Sequence, residues 1–340
     1  MKYFNEVQFN LHQYITMFSE ILNIMYTPES KSQSAMAAGP KFVYRGVDLK
    51  VASYRINLEQ HLEAINASPK YQKWIDDFLD QGEIDISSFT LTDVNWFGPP
   101  TPDRLGFFKG TGEIFEAGTQ TPIISNIAFC RGGCVACLVI CTAIVDGLPV
   151  KIIPLTEQFR FPSGGKRIEA MAGMIDANTR EWKGPVVKEL EEEFGIKISE
   201  HDDRLKRLPG TKAWPSPGGS DETIDMFYLE LDITEEQYSE MMTRTYGTGD
   251  DEKIRIRFYN YDDFDEVLNT IGDFKAGEMW RRYQWQKKQQ LKELKELKID
   301  FKPLPIDSWT SIDGKHHLLT TEDSAAALLG LKNWRYAIMH

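Results

Sequence analysis

The chain has 340 residues, 41% hydrophobic and 12% aromatic, and a formal net charge of −12 at pH 7. This length allows one large domain or two ordinary ones, with enough apolar residues for a sizeable core. The acidic balance argues against a general nucleic-acid binder, which usually presents a basic face. No apolar run reaches the roughly 18 residues of a membrane-spanning helix, and no secretory signal is evident. We therefore expect no membrane and no nucleic-acid partner, and a cytoplasmic protein, with an organelle left open.

In chain order, the pattern predicts four regions. Residues 1–40 read as an N-terminal extension, with an amphipathic helix over 4–25 and a linker from 28 to 40. Residues 41–120 carry short strand signals and a helix near 69–80, and are expected to form a β-rich domain. From 121 to 297 strands and helices alternate, and residues 298–340 form a C-terminal extension without a readable motif.

Within the third region, apolar runs and turn residues place the individual elements. Thr234 is a predicted N-cap, with Gln237 in the capping-box position. Strands are predicted near 123–130, 135–145, 150–156, 225–232 and 254–260, and helices near 185–195, 235–246, 262–271 and 274–297.

All four cysteines fall within 12 residues, at Cys130, Cys134, Cys137 and Cys141. Their spacing invites a zinc or iron–sulfur interpretation. However, the run around them is apolar and β-branched, which predicts a strand. On a strand Cys137 and Cys141 share a face and Cys134 points to the other, so four thiolates would not converge on one ion. Core packing is the favoured interpretation.

The segment Lys188–Ile196, KELEEEFGI, is the strongest chemical signal. Glu189, Glu192 and Glu193 stand at i, i+3 and i+4, which on a helix places three carboxylates on one face, and Gly195 is a typical helix terminator. A solvated acidic face would explain the run by itself. A divalent cation would relieve the repulsion between the carboxylates, and hard oxygen ligands suit Mg²⁺ beside a phosphate substrate.

Three further segments carry candidate chemistry. Arg160 follows a strand and precedes a Gly turn, where a guanidinium can grip a phosphate, although a surface Arg is the plain alternative. The loop Trp214–Glu222 holds two prolines and two glycines, as an ordinary turn or a ligand-facing loop does. Asp250, Asp251 and Glu252 lie on an acidic loop before a strand, either as solvated residues or as a metal ligand and general base.

Taken in order, these pieces resemble the Nudix hydrolase family, whose box reads G-x5-E-x7-R-E-U-x-E-E-x-G-U with U aliphatic. Gly173 matches the first glycine, and Lys188–Ile196 matches the second half. The segments TEQFRFPSGG, IEAMAGMID and SPGGSDE are similar to those of the ADP-sugar pyrophosphatase branch, most of all its plant form. The resemblance covers about residues 65–285.

Two positions depart from the family pattern. Lys188 stands where the family has Arg, and it lacks the rigid two-pronged guanidinium. The gap from Gly173 to Glu189 is one residue longer than usual, with Thr179 or Arg180 in place of the first Glu. We expect these departures to affect rate rather than fold.

The resemblance implies roles for individual residues. The metal ligands would be Glu189, Glu192, Glu193, Glu252 and the backbone carbonyl of Ala172, with Mg²⁺ as the cofactor and Mn²⁺ as its substitute. Asp250 would be the candidate base. Arg160 would bind the diphosphate, Glu222 would lie near the terminal sugar, and Trp96 or Phe97 would stack on the base.

The resemblance also implies the fold and the reaction. The expected fold is an α/β/α sandwich around a mixed sheet at 121–297, preceded by a smaller strand-rich domain at 41–120 that builds a homodimer. The expected reaction is hydrolysis of an ADP-sugar, ADP-ribose or ADP-glucose, to AMP and sugar phosphate. The alternatives are hydrolysis of a UDP-sugar, a GDP-sugar or a dinucleotide, an inactive Nudix-fold binding module, and a metal–sulfur protein.

Overall fold

The computed structural model describes residues 41–124, 126–145, 147–175, 183–247, 253–296, 309–310 and 316–317. The helix predicted over 4–25, the linker at 28–40, Thr179 and Arg180 lie outside these residues, as do Asp250 and Glu252. So does most of the extension from 298 to 340. Trp309–Thr310 and His316–His317 form a short antiparallel pair in that extension.

A five-stranded sheet forms the first part of the described chain, in the order β1-β2-β3-β4-β5. Its β2 and β3 run parallel, and the other neighbours are antiparallel. The strands are Phe42–Tyr44 (β1), Val47–Val51 (β2), Ile84–Trp96 (β3), Leu105–Glu116 (β4) and Ile127–Cys130 (β5), and the helices are Leu62–Asn66 (α1) and Pro69–Leu79 (α2).

Helix α2 covers one face of this sheet. Ser68 accepts a hydrogen bond from the Lys70 amide at 3.3 Å and so caps the helix, which has Pro at its first position. Trp74 is buried and meets Phe89 of β3 and Phe108 of β4 edge-on, with ring centroids 4.8 and 5.6 Å apart. Aromatic pairs of this geometry give the small sheet a core of its own.

A seven-stranded sheet follows, in the order β10-β11-β6-β7-β12, with β8 paired to β7 and β9 to β6. It is mixed, because β11 runs parallel to β6 while β7 and β9 run antiparallel to it. Its strands are Cys134–Val145 (β6), Leu148–Arg160 (β7), Gly165–Glu169 (β8), Met171–Met174 (β9), Leu205–Arg207 (β10), Ile224–Ile233 (β11) and Arg255–Asn260 (β12).

Helices lie on both faces of the second sheet. Lys183–Phe194 (α3) and Glu235–Thr243 (α4) bury Leu190 and Met241 in the core on one face. Phe264–Ile271 (α5) and Phe274–Glu296 (α6) bury Phe264 and Trp280 in the core on the other. The predicted α/β/α sandwich around a mixed sheet is therefore confirmed. No helix among the described residues is long and apolar enough to cross a membrane.

The cysteines pack in the core, as the strand pattern predicts. Cys137 and Cys141 lie in the core beneath α3, Cys134 lies in the opposite core, and Cys130 belongs to the core of the first sheet. All four are free and buried. Burial raises the pKa of each thiol, to about 12 for Cys134 and Cys141. The four thiols are divided among three cores, so they do not converge on one point.

The predicted capping box at α4 is also present. The Gln237 amide donates to the Thr234 hydroxyl at 3.2 Å, and the Thr234 amide donates to the Gln237 side-chain oxygen at 2.9 Å. Two N–H groups that the first helical turn leaves open are satisfied in this way.

A charged cluster is buried between the second sheet and α6. The Glu230 carboxylate accepts hydrogen bonds from Tyr283 at 2.6 Å and Lys287 at 2.8 Å. The Lys151 ammonium lies 3.8 Å from Glu230 and 4.1 Å from the Tyr261 ring centroid. Burial lowers the pKa of Lys151 to about 8, although Glu230 opposes this shift.

We expect Lys151→Met to stabilise the protein at pH 7 and to lose that advantage in alkali. The pKa of Lys151 is lower in the folded than in the unfolded chain, so between about pH 8 and about pH 10.4 the unfolded chain binds more protons. The charged lysine therefore costs about 3 kcal/mol below pH 8, and this cost fades as the pH rises. Urea unfolding of both proteins from pH 7 to 9.5 should show that the difference between their free energies of unfolding becomes smaller as the pH rises.

Lys73→Met, at an exposed lysine, is the control. A difference in free energy of unfolding between Lys151→Met and wild type that does not depend on pH would contradict the prediction.

Candidate active site

Helix α3 carries the three glutamates, and its apolar residues explain how it sits on the sheet. Val186, Leu190 and Phe194 are buried in the core, and Glu193 on the adjoining side is only 5% exposed. Gly195 has φ of +68°, and its amide donates to the Glu191 carbonyl at 3.0 Å, which ends the helix. The predicted helix and its glycine terminator are confirmed.

Gly173 provides the space in which Glu189 lies. Gly173 stands in β9 opposite Val135 of β6. A Cβ at this position would come closer than 3.0 Å to the Cγ, Cδ and Oε1 atoms of Glu189, a separation that non-bonded Cβ atoms do not keep. The first and second halves of the predicted box therefore meet, because the absence of a Cβ on Gly173 lets the Glu189 side chain lie across its backbone.

Glu192 lies at the more open edge of α3, with a side chain that is 27% exposed. Lys188, the residue that departs from the family pattern, lies 3.6 Å from it one turn earlier. The Gly247 amide donates to the Glu192 carbonyl at 3.3 Å, and Tyr246 pairs with Ile254. The described residues that flank Asp250 and Glu252 thus lie beside the end of α3.

The predicted donors are oxygen atoms of the type that Mg²⁺ prefers, because carboxylates and a backbone carbonyl are hard ligands. The fold confines Glu189 beside Gly173 and buries Glu193. Among the residues that the structure describes, no group of three or more His, Cys, Asp or Glu side chains could hold a metal ion. The predicted set also includes Glu252, which is outside them.

Arg160 ends β7 and forms a two-pronged ion pair. Its Nε donates to Glu169 Oε1 at 2.8 Å and its Nη2 to Oε2 at 3.3 Å, while 41% of the Arg160 side chain stays exposed. Lys275 also donates to Glu169, at 3.1 Å. Burial opposes ionisation of Glu169, but the hydrogen bonds and charges of Arg160 and Lys275 outweigh it and lower the pKa of Glu169.

Glu222 lies where the two sheets meet. Its carboxylate is 3.4 Å from Arg131 Nε and 3.8 Å from Cys134 Sγ. The neighbouring Asp221 accepts the amides of Arg131 and Gly132 at 2.7 and 3.0 Å. These contacts tie the loop at 219–222 to the connection between β5 and β6.

The connection between β5 and β6 also contacts the end of β9, the strand that carries Gly173. The Ile175 amide donates to the Gly133 carbonyl at 3.1 Å, and the Cys134 amide donates to the Thr223 carbonyl at 2.8 Å. Residues 131–134, 172–175 and 220–223 therefore form one continuous edge, which brings the Glu222 loop and the Gly173 strand together.

Trp96 and Phe97 lie at the end of β3. The Trp96 ring packs against the core of the first sheet and lies 5.5 Å from the His61 ring. Phe97 is 50% exposed, with its ring 5.2 Å from that of Phe107. Of the two adjacent rings, Phe97 has the larger open surface.

The chain matches no protein-family model. Over 191 residues it is 32% identical to Nudix hydrolase 14, a chloroplastic protein of Arabidopsis thaliana. The chain is similar to a Nudix hydrolase. The matched segment covers 54% of this chain and 58% of that relative, so the chain spans less than two thirds of the relative's length. The similarity supports the Nudix family for this chain.

Three charged residues near Gly173 are not indicated by the sequence pattern. Glu169 stands four residues before Gly173, and Asp273 and Lys275 open α6, about one hundred residues later. Glu169 lies inside the segment IEAMAGMID, where no local pattern distinguishes it from the other residues. Asp273 and Lys275 carry no motif, because their connection to Glu169 exists only after the chain has folded.

Proposed function

We propose that this chain is a metal-dependent Nudix hydrolase that cleaves the diphosphate of nucleotide sugars, ADP-ribose and ADP-glucose, to AMP and sugar phosphate. The observation that carries the proposal is the fit of Glu189 over Gly173. This contact brings together Gly173 and Glu189, which are 16 residues apart in the chain and belong to the two halves of the predicted box. The similarity to Nudix hydrolase 14 over this region supports the same reaction class.

In this proposal Glu189, Glu192, Glu193, Glu252 and the Ala172 carbonyl hold Mg²⁺, or Mn²⁺ in its place. The bound ion would neutralise the diphosphate and lower the pKa of a water molecule. The protein's own contribution is to fix these oxygens: Glu193 is buried, and Glu189 is confined by β9. Asp250 is the proposed general base, supported by the position of Gly247 beside Glu192.

Substrate contacts are proposed for the residues around this edge. Arg160 offers a partly exposed guanidinium to the diphosphate, in a chain whose net charge would otherwise repel an anion. Glu222 is proposed to contact the terminal sugar, and Trp96, with its neighbour Phe97, to contact the base. If Trp96→Ala left selectivity between ADP- and UDP-sugars unchanged, the role of Trp96 would be refuted.

The assembly is proposed to be a homodimer built by the domain at 41–120. Just beyond this range, the edge strand β5 completes the same sheet. Ile127 within β5 and Ile124 before it are apolar side chains that are 62% and 93% exposed. Light scattering on the purified chain distinguishes a dimer from a monomer. The cytoplasmic location stays a prediction, and the chloroplastic name of the relative favours testing an organelle as well.

An activity screen tests the proposed function directly. Purified protein with Mg²⁺ should release AMP from ADP-ribose or ADP-glucose, and a chelator should abolish the release. UDP-glucose, GDP-mannose and a dinucleotide complete the panel. Faster turnover of any of these would replace the ADP-sugar assignment, and no turnover at all would favour a Nudix-fold binding module.

A further inference from the structure

A four-residue charge network connects the start of α6 to Arg160. Lys275 Nζ donates to Asp273 Oδ1 at 2.9 Å and to Glu169 Oε2 at 3.1 Å. Glu169 in turn accepts both hydrogen bonds from Arg160. One carboxylate is thus shared between an inner lysine and an outer arginine.

Burial differs sharply along this network. The side chains of Asp273, Glu169 and Lys275 are 8%, 12% and 17% exposed, whereas Arg160 is 41% exposed. Burial opposes the charge on Lys275, but the two carboxylates more than offset it and raise the pKa of Lys275. Lys275 is therefore a largely buried cation, and Arg160 is the most exposed of the four side chains.

Asp273 is largely occupied by the backbone. Its Oδ2 atom accepts the Ala276 amide at 3.1 Å, in the first turn of α6, and the Ala170 amide at 2.9 Å, just before β9. Amides at a helix N-terminus stabilise a negative charge. Asp273 keeps its negative charge, so the Lys275 ammonium is shared between Asp273 at 2.9 Å and Glu169 at 3.1 Å, and the four side chains together carry no net charge.

We propose that Lys275 is a positioning residue for the diphosphate site: it holds Glu169 in place and balances the charge of the network, so that Glu169 orients Arg160 without an excess of negative charge beside it. This inference rests on the proposed function, in which Arg160 binds the diphosphate. Without Lys275, Glu169 would pair with Arg160 alone and compete with the substrate phosphates for it. Lys275 would then act on substrate binding more than on the chemical step.

A purely structural role would have a different signature. Lys275 and Asp273 also join the start of α6 to the end of β8 and to Ala170, so their loss could simply loosen the fold. In that case removing Glu169 as well would add damage. If Lys275 works by offsetting charge, neutralising Glu169 should instead repair the loss, which makes the double variant decisive.

The test uses the full chain and four variants: Lys275→Met, Glu169→Gln, the double variant Glu169→Gln/Lys275→Met, and Lys288→Met. Lys288→Met is the control, at an exposed position of the same helix. Three quantities are measured: the Kd for inorganic pyrophosphate by calorimetry with Mg²⁺, KM and kcat for ADP-ribose, and the melting temperature.

We expect Lys275→Met to raise Kd and KM about tenfold, as for a lost charge partner, with kcat changed by less than about threefold. The double variant should return Kd to within about threefold of wild type, and Lys288→Met should change nothing. An unchanged Kd in Lys275→Met, or a double variant that binds worse than Lys275→Met, overturns the proposal.

Two further outcomes are informative. If Lys275→Met does not fold, we compare the Kd values of Glu169→Gln and the charge-balanced double variant, which should agree. Weaker binding by the double variant would refute the claim that Lys275 acts by balancing the charge of Glu169. If the wild type binds pyrophosphate and Lys275→Met binds it weakly, but no diphosphate substrate turns over, then the proposed function fails and the network stands. If diphosphate substrates turn over but Lys275→Met leaves Kd and KM unchanged, the proposed function stands and the role of Lys275 is refuted.

Discussion

Replacing Gly173 by alanine should lower kcat by about 100-fold, the loss expected when a catalytic group is displaced by about 1 Å. The new Cβ would lie closer than 3.0 Å to three atoms of the Glu189 side chain. These atoms belong to a flexible side chain, so Glu189 can swing aside, and we expect the melting temperature to change little. The substitution should therefore separate activity from stability.

The matched control is Gly277→Ala in α6, where an added Cβ meets nothing within 4 Å. An alanine within a helix should raise stability by about 0.5–1 kcal/mol and leave kcat unchanged. Both variants are assayed with Mg²⁺ on the best substrate of the panel and melted by circular dichroism. Near wild-type activity in Gly173→Ala would show that the position of Glu189 over Gly173 is not needed for turnover.

Replacing Glu192 or Glu193 by glutamine should lower kcat at least about 100-fold with the fold retained, since a neutral amide cannot supply the charge that a metal site needs. Glutamine has nearly the same shape as glutamate, so α3 keeps its packing through Val186, Leu190 and Phe194. The loss should appear in kcat rather than in thermal unfolding.

Glu191→Gln is the internal control for these variants. Glu191 lies on the same helix, but its side chain is 53% exposed and pairs with Lys197 at 3.0 Å on the surface. Surface ion pairs contribute little, so both kcat and stability should stay near the wild-type values. Wild-type rates in either Glu192→Gln or Glu193→Gln would remove that residue from the proposed metal set, and an equal loss in all three would indicate a general effect on the helix.

The sequence alone determined what depends on local spacing. Helix α3 follows from apolar periodicity, and its end at Gly195 follows from the left-handed conformation that glycine adopts. The capping box of Thr234 and Gln237 lies within a single helical turn. The alternation of Cys134 and Cys137 between opposite cores follows from the two-residue period of a strand. Element ends were less certain: the strand predicted at 150–156 runs from Leu148 to Arg160.

The tertiary structure decided what depends on contacts between distant segments. Only folding places Glu189 across Gly173 and Lys275 against Glu169, because no local period links residues 16 or 106 positions apart. The parallel pairing of β11 with β6 likewise joins strands that begin about 90 residues apart, and it brings Glu222 to the edge where Gly173 lies. Local spacing therefore specified the glutamates on their helix, whereas long-range packing specified what surrounds them.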